Sequence, residues 1–172
     1  MRPSQLRRRC ERVARTVRVP QPFDVGEFLD LLGTERGRPV HLIPFDLPAG
    51  APCGLCVCTP VADYVVVTAA ASGAQRDHIV LHETAHLLLR HSSRLLAGDC
   101  SDGQLFRHLD LRVVEAMFAR TNYDDVDERE AETLASLLGQ RAGLWRPQAV
   151  HRPADPLIER LGRSLERGPD RG

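Results

Sequence analysis

Residues 79–89 read IVLHETAHLLL, an apolar run that contains a complete H-E-x-x-H motif. The run has no proline or glycine, so it predicts a buried helix. Residues four positions apart lie on one face of a helix, and the rings of His82 and His86 can therefore converge on one metal ion. Glu83 is rotated by about 100° from His82. From there it can act as a general base on a water molecule without binding the metal itself.

A buried helix with two hydrogen-bonded histidines and a paired glutamate is the alternative interpretation of this motif. Three polar side chains on one helical turn are costly to bury unless a partner compensates them. We therefore interpret the motif as a metal site with a general base.

A catalytic zinc site usually takes three protein ligands, so a third residue has to join the two histidines. His91 does not fit, because on a straight helix it points about 180° away from His82. We expect His91 to be a solvated residue at the end of the helix. The acidic residues within 124–132 are the better source of the third ligand.

The sequence pattern of residues 124–140 predicts a helix. Its first residues are acidic, which suits a helix N-terminus. Glu130 falls within the inward stripe of this helix, whereas Glu128 falls at its edge. A carboxylate on an apolar face needs a cation or a hydrogen-bonding partner. Glu130 is therefore the predicted third ligand, with Glu128 as the alternative. The stripe itself consists of Ala131, Leu134, Ala135, Leu137 and Leu138.

The two segments together resemble the ImmA/IrrE family of bacterial zinc metallopeptidases. Residues 77–89 (DHIVLHETAHLLL) are similar to the family's H-E-[small]-x-H-x-L-L pattern, and residues 128–135 (EREAETLA) are similar to its E-x-E-A-N-x-F-A pattern. The resemblance covers about residues 24–140 and includes the predicted strand at 64–68 and the basic Arg76. The paired segments are more specific than H-E-x-x-H alone.

The chain departs from the family pattern at several positions. Glu132 stands where the family has Asn, Leu134 stands where it has Phe, and residues 138–141 (LGQR) replace its closing L-L-x-P. The spacer between His86 and Glu130 is longer than in the family, because it includes an additional predicted helix. These differences leave the zinc-binding residues intact and bear on substrate preference and, to a lesser degree, on activity.

The resemblance implies a zincin-like minimal metallopeptidase, with a small sheet packed against the H-E-x-x-H helix and further helices on either side in sequence. It implies a cytoplasmic endopeptidase that uses Zn²⁺ and cuts a specific protein partner, a helix-turn-helix transcriptional repressor. The alternative is a non-catalytic module, stapled by zinc, that regulates a partner by association. An intact Glu83 argues against that module, where it would have no structural role.

A peptidase also needs a donor to the oxyanion of the transition state. Tyr123, His108 and Arg120 are candidates for this role or for substrate contact. An ordinary position in a loop or helix is the alternative for each of them.

The order of sequence patterns predicts one α+β domain over residues 1–166, followed by a disordered tail at 167–172. A basic helix precedes a core at 24–140, and a C-terminal helical segment follows at 154–166. Within the core, Asp24 is the predicted N-cap of a second helix, and Glu27 completes its capping box. Phe28, Leu31 and Leu32 of this helix are predicted to face inward, and the helix is predicted to end at Gly33 or Gly37. The remaining predictions are the basic helix at 4–18, strands at 40–43, 54–59 and 64–68, a small-residue loop at 69–75, and helices at 105–119, 124–140 and 157–165.

Overall composition does not favour a nucleic-acid or membrane partner. The 23 basic and 23 acidic residues give a formal net charge of zero, which does not favour a nucleic-acid or membrane-surface partner. No apolar run reaches the length of a membrane span, and residues 1–22 lack the apolar core of a secretory signal. The arginines of the first predicted helix suggest a solvated face rather than direct nucleic-acid contact.

Residues 53–58 read CGLCVC, which contains a C-x-x-C pair. No second pair follows, and Cys56 and Cys58 alternate with apolar residues as they would on a strand. We predict a structural strand in which Cys53, Cys56 and Cys58 are reduced and bind no metal. A metal or redox site is the alternative.

Overall fold

The protein is α+β, as its sequence predicts. The computed structural model describes residues 3–46, 52–91 and 123–144. The predicted segments 105–119, 154–166 and 167–172 lie outside the described residues. Within the described ranges the elements are α1 (Pro3–Thr16), α2 (Val25–Arg36), β1 (Val40–Phe45), β2 (Gly54–Cys58), β3 (Asp63–Thr68), α3 (Gly73–Leu89) and α4 (Asp125–Arg141).

The ends of α2 follow the predicted capping chemistry. The side chain of Asp24 accepts a hydrogen bond from the backbone N–H of Glu27 at 2.9 Å. The helix runs past Gly33 and ends at Gly37, whose φ of 70° is in the left-handed region that glycine adopts without strain. Phe28 and Leu32 are buried as predicted, but Leu29 is buried in place of Leu31, which is half-buried.

The three strands form one mixed sheet in the order β1-β3-β2, with β1 parallel and β2 antiparallel to β3. The central strand β3 is apolar because both of its faces are buried. Val65 and Val67 belong to the main core with the helices, and Tyr64 and Val66 belong to a second cluster with Leu55 of β2. All three predicted strands are present, and their ends differ from the prediction by no more than two residues.

The apolar stripe predicted for α4 and apolar residues of α1 both belong to the main core. Cys10, Ala14 and Val17 are buried along α1 and the residue that follows it, and Leu134 and Leu138 are buried along α4. Helix α3 packs against α4, β2 and β3. The H-E-x-x-H helix is thereby held between the sheet and a second helix. No helix within the described ranges is long and apolar enough to cross a membrane.

Strand β2 contains Cys56 and Cys58, as their alternation with apolar residues predicts. Cys56 and Cys58 are buried, Cys53 is exposed just before the strand, and all three are free thiols. Burial is the main cause that raises the pKa of the Cys56 thiol well above its ordinary value. Cys56 is therefore a packing residue of low reactivity.

A buried carboxylate fixes the sheet relative to the helices. Asp63 is fully buried at the start of β3, with Oδ2 2.6 Å from Arg36 Nε and Oδ1 2.7 Å from Arg38 Nη2. Arg36 Nη1 also donates to the carbonyl oxygen of Leu87 in α3 at 3.4 Å. This ion cluster therefore joins the end of α2, the sheet and the last turn of the H-E-x-x-H helix.

Replacing Asp63 with alanine should destabilise the protein strongly, because two partly buried arginines lose their counter-charge. We expect a loss of about 3 kcal/mol in the free energy of unfolding, the lower end of the range for a broken buried pair. Urea denaturation measures it. The control is Glu35→Gln, which removes the long and exposed contact to Arg18 and should change stability by less than about 0.5 kcal/mol. Equal effects in the two variants would contradict the structural role of the cluster.

Candidate metal site

Two histidines of α3 and a glutamate of α4 meet where the two helices pack. The Nε2 atoms of His82 and His86 are 3.2 Å apart. Oε2 of Glu128 lies 3.3 Å from His82 Nε2, and Oε1 of Glu128 lies 3.7 Å from His86 Nε2. The three side chains form a group that could hold a metal ion. The i, i+4 spacing of the motif thus places the two imidazoles together, as predicted.

Glu130, the predicted third ligand, does not lie with this pair of histidines. Its position on the inward stripe is as expected, since it is fully buried. Its Oε2 atom, however, accepts hydrogen bonds from Arg9 Nη1 at 2.5 Å and from His91 at 3.0 Å. The cation that a buried carboxylate requires is therefore an arginine of α1. Glu128, at the edge of the stripe and 48% exposed, is the carboxylate beside the two histidines.

The end of α3 brings His91 back onto His86. Arg90 has a φ of 57°, its N–H donates to the carbonyl of Leu87 at 3.3 Å, and the N–H of His91 donates to the carbonyl of His86 at 3.1 Å. This is the Schellman motif, which brings these two residues into contact. The Nδ1 atoms of His86 and His91 are 3.0 Å apart. The prediction of a solvated His91 is wrong, because the helix does not continue to residue 91 and the ring is buried.

A second group of side chains that could hold a metal ion lies beside the first. It consists of His91, Asp127 and Glu130. His91 Nε2 is 3.6 Å from Oδ1 of Asp127 and 3.0 Å from Oε2 of Glu130. Unlike the first group, it shares its buried carboxylate oxygen with the guanidinium of Arg9.

Glu83 is buried next to the first group and does not belong to it. Burial, followed by the negative charge of Glu128, raises the pKa of Glu83 to about 8. The backbone of β2 approaches it closely at Gly54, where an added Cβ would come within 2.7 Å of Glu83 Oε1. Only glycine therefore leaves room for this carboxylate between strand and helix.

His86 is uncharged at neutral pH. Burial, followed by the neighbouring His82 and His91, lowers its pKa to about 3. A neutral imidazole has a free lone pair on one ring nitrogen, which is the form that binds a metal ion. When one ring nitrogen of His86 carries the proton, a metal ion can bind the other nitrogen without displacing a proton.

A pocket of about 240 Å³ opens onto these side chains. Its walls come from α3, from the start of β2 and from Tyr123, immediately before α4. The ring of Tyr123 stacks on that of His86, with centroids 3.7 Å apart and planes inclined by 18°. Tyr123, a predicted candidate for substrate contact, therefore lies at the site. His108 and Arg120 lie outside the described residues.

Three residues that contact the site were not predicted to do so: Arg9, His91 and Glu132. Glu132 Oε2 lies 3.4 Å from His82 Nδ1, on the side of the ring opposite Nε2. Its spacing of four from Glu128 predicts a shared helix face and could have revealed it. No local pattern identifies Arg9, because its partner Glu130 is 121 residues away in sequence.

Comparison of the chain with protein-family models, with curated proteins and with solved structures found no match. The resemblance to the ImmA/IrrE family therefore stays a prediction that rests on the motif residues.

The pKa of Glu83 leads to a prediction for the metal-free protein. Between about pH 4.5 and pH 8 this side chain is protonated in the folded state and ionised in the unfolded chain. The folded state then binds one more proton, so raising the pH favours unfolding by up to about 1.4 kcal/mol per pH unit from this group. Glu83→Gln lacks this penalty, and its stability relative to wild type should rise from pH 5 to pH 8.

Urea denaturation of both metal-free proteins at several pH values tests this expectation. All other titrating groups are common to the two proteins, so the difference isolates Glu83. A stability difference that is constant across this pH window would mean that Glu83 ionises normally in the folded protein.

Proposed function

We propose that the protein is a zinc-dependent endopeptidase. One observation carries the proposal: a buried carboxylate, Glu83, lies beside a His82/His86/Glu128 cluster at the wall of a pocket. A cluster that only stabilised the fold would have no use for Glu83. Its burial is costly and leaves it with a pKa near neutrality, where general bases operate.

The spacing of the ligand atoms supports zinc. Two ligands of a tetrahedral zinc ion with bonds of about 2.0–2.2 Å are separated by roughly 3.3–3.6 Å. Nε2 of His82 and Nε2 of His86 are 3.2 Å apart, and they lie 3.3 and 3.7 Å from two different oxygens of Glu128. One ligand atom from each of the three residues lies within 4.8 Å of the other two. Two imidazoles and one carboxylate are also a ligand set found in zinc peptidases. The three side chains therefore fit a catalytic site with one coordination position left for a further ligand.

A bound zinc ion would polarise the scissile carbonyl and lower the pKa of a water molecule towards neutrality. Glu83 accepts the proton of the attacking water and passes it to the leaving amine. Glu83 is buried at the pocket wall, where the absence of a side chain at Gly54 leaves room for its carboxylate. Tyr123, stacked on His86 at the pocket wall, is positioned to contact the substrate.

The proposed substrate is a specific protein, and the resemblance implies a cytoplasmic helix-turn-helix repressor. The same resemblance implies a zincin-like fold. Supporting features are the packing of α3 against β2 and β3 and the position of the pocket between α3 and the start of β2.

We expect one zinc ion per chain in protein purified without added metal. His86→Ala removes one ligand and should abolish stoichiometric zinc, and Glu128→Gln should weaken zinc binding more than ten-fold because a charged ligand is lost. Elemental analysis and competition with a chromophoric chelator measure both effects. His41→Ala, which changes an exposed histidine of β1, is the matched control. Full zinc content in His86→Ala would refute the site.

Glu83→Gln should retain zinc and lose peptide hydrolysis by a factor of about 100 to 10,000, because its acid and base roles are both removed. The assay incubates wild type and variant with a proteome-derived peptide library and with candidate helix-turn-helix regulators, and detects discrete cuts by mass spectrometry. Binding of a regulator by both proteins without cleavage by either would replace this proposal with the non-catalytic module.

A further inference from the structure

A continuous series of polar contacts leads from His86 to the first helix. The ring nitrogens Nδ1 of His86 and Nδ1 of His91 are 3.0 Å apart, and Nε2 of His91 is 3.0 Å from Oε2 of Glu130. Arg9 donates to the same oxygen through Nη1 at 2.5 Å, and to the carbonyl of Leu89 through Nη2 at 3.0 Å. Arg9 therefore joins α1 both to α4 and to the last turn of α3.

The direction of the hydrogen bonds follows from the chemistry of the groups. A carboxylate only accepts, so His91 carries its proton on Nε2 and donates it to Glu130. In the neutral ring, Nδ1 of His91 then accepts, and the proton between the two rings belongs to Nδ1 of His86. Nε2 of His86, which faces His82 and Glu128, is left with its lone pair.

We propose that His91, Glu130 and Arg9 form a positioning relay that holds His86 in the tautomer and orientation that binds the metal ion. Hydrogen bonds to the second nitrogen of a ligating histidine fix its ring and raise its basicity. Here the contact passes through a second histidine to a fully buried carboxylate, whose counter-charge is an arginine of α1. The first helix is thereby part of the metal site. This inference rests on the zinc site of the proposed function.

The same residues could instead hold a second metal ion with Asp127. Oε1 of Glu130 is buried with no hydrogen bond to any described residue, so a ligand atom is present. The guanidinium of Arg9 argues against it, because it occupies Oε2 of Glu130 and places a positive charge beside the ion. Charge repulsion and the existing hydrogen bonds both favour the relay.

The zinc affinity of the protein tests the relay. Glu130→Gln and His91→Phe keep side chains of similar size and should weaken zinc binding about 10- to 100-fold. Arg9→Met should weaken it in the same direction, and Arg9→Lys should recover part of the loss by restoring the charge. Arg8→Met, at an exposed neighbouring position of α1, is the matched control and should leave the affinity unchanged.

A second measurement separates positioning from general destabilisation. In the zinc-loaded wild type, NMR of ¹⁵N-histidine-labelled protein should show slowly exchanging protons on Nδ1 of His86 and Nε2 of His91. In Glu130→Gln the proton of His91 should exchange faster while the thermal unfolding curve remains cooperative. Unchanged exchange and an affinity within two-fold of wild type in both Glu130→Gln and His91→Phe would overturn the relay.

Metal stoichiometry decides between the relay and a second ion. Two bound ions per chain, one of which is lost in both His91→Phe and Asp127→Asn, would overturn the relay in favour of the second site.

Failure of the proposed function is distinguishable from failure of the relay. If the relay variants bind zinc more weakly but the wild type hydrolyses no peptide, the relay is supported and the peptidase function is refuted. If the wild type hydrolyses peptide and the variants bind zinc with unchanged affinity, the peptidase function is supported and the relay is refuted.

Discussion

Packing of α3 against α4 places ionisable side chains in a low-dielectric interior, and each of them needs a partner there. His86, His91 and Glu130 are buried at this contact, and Glu83 is buried on the side of the sheet. An uncompensated polar group in such a place costs several kcal/mol. His86, His91 and Glu130 therefore pair with one another or with Arg9, whereas burial of Glu83 raises its pKa. The contacts of Arg9 and His91 with Glu130 meet this requirement.

Much of the fold was accessible from local patterns. The apolar run around the H-E-x-x-H motif fixed α3, the acidic start and apolar stripe fixed α4, and the Asp24 cap fixed the start of α2, because each depends on neighbouring residues alone. The alternation of Cys56 and Cys58 with apolar residues likewise placed β2. The pairing order of the strands is set by tertiary packing and has no comparable local signal.

The third ligand could not be identified from helical phase alone. Helical phase correctly placed Glu130 in the interior, but burial does not identify the cation that a carboxylate meets, and the partner came from a helix far away in sequence. His91 illustrates a second limit. An arginine in the left-handed conformation is unusual, since the side chain disfavours it by about 1–2 kcal/mol. No residue around Arg90 indicates that it takes this conformation, so the contact of His91 with His86 has no local sequence signal.

The long reach of Arg9 has a consequence for how the chain assembles. Its contacts with Leu89 and Glu130 span 80 and 121 residues, and closing loops of that size is entropically unfavourable and slow compared with forming a helix. The α3–α4 contact and the sheet can form over shorter spans, leaving α1 to dock onto an existing surface. An ion bound only by the finished structure would then favour the docked form by mass action, so that cofactor supply and the last step of folding are thermodynamically linked.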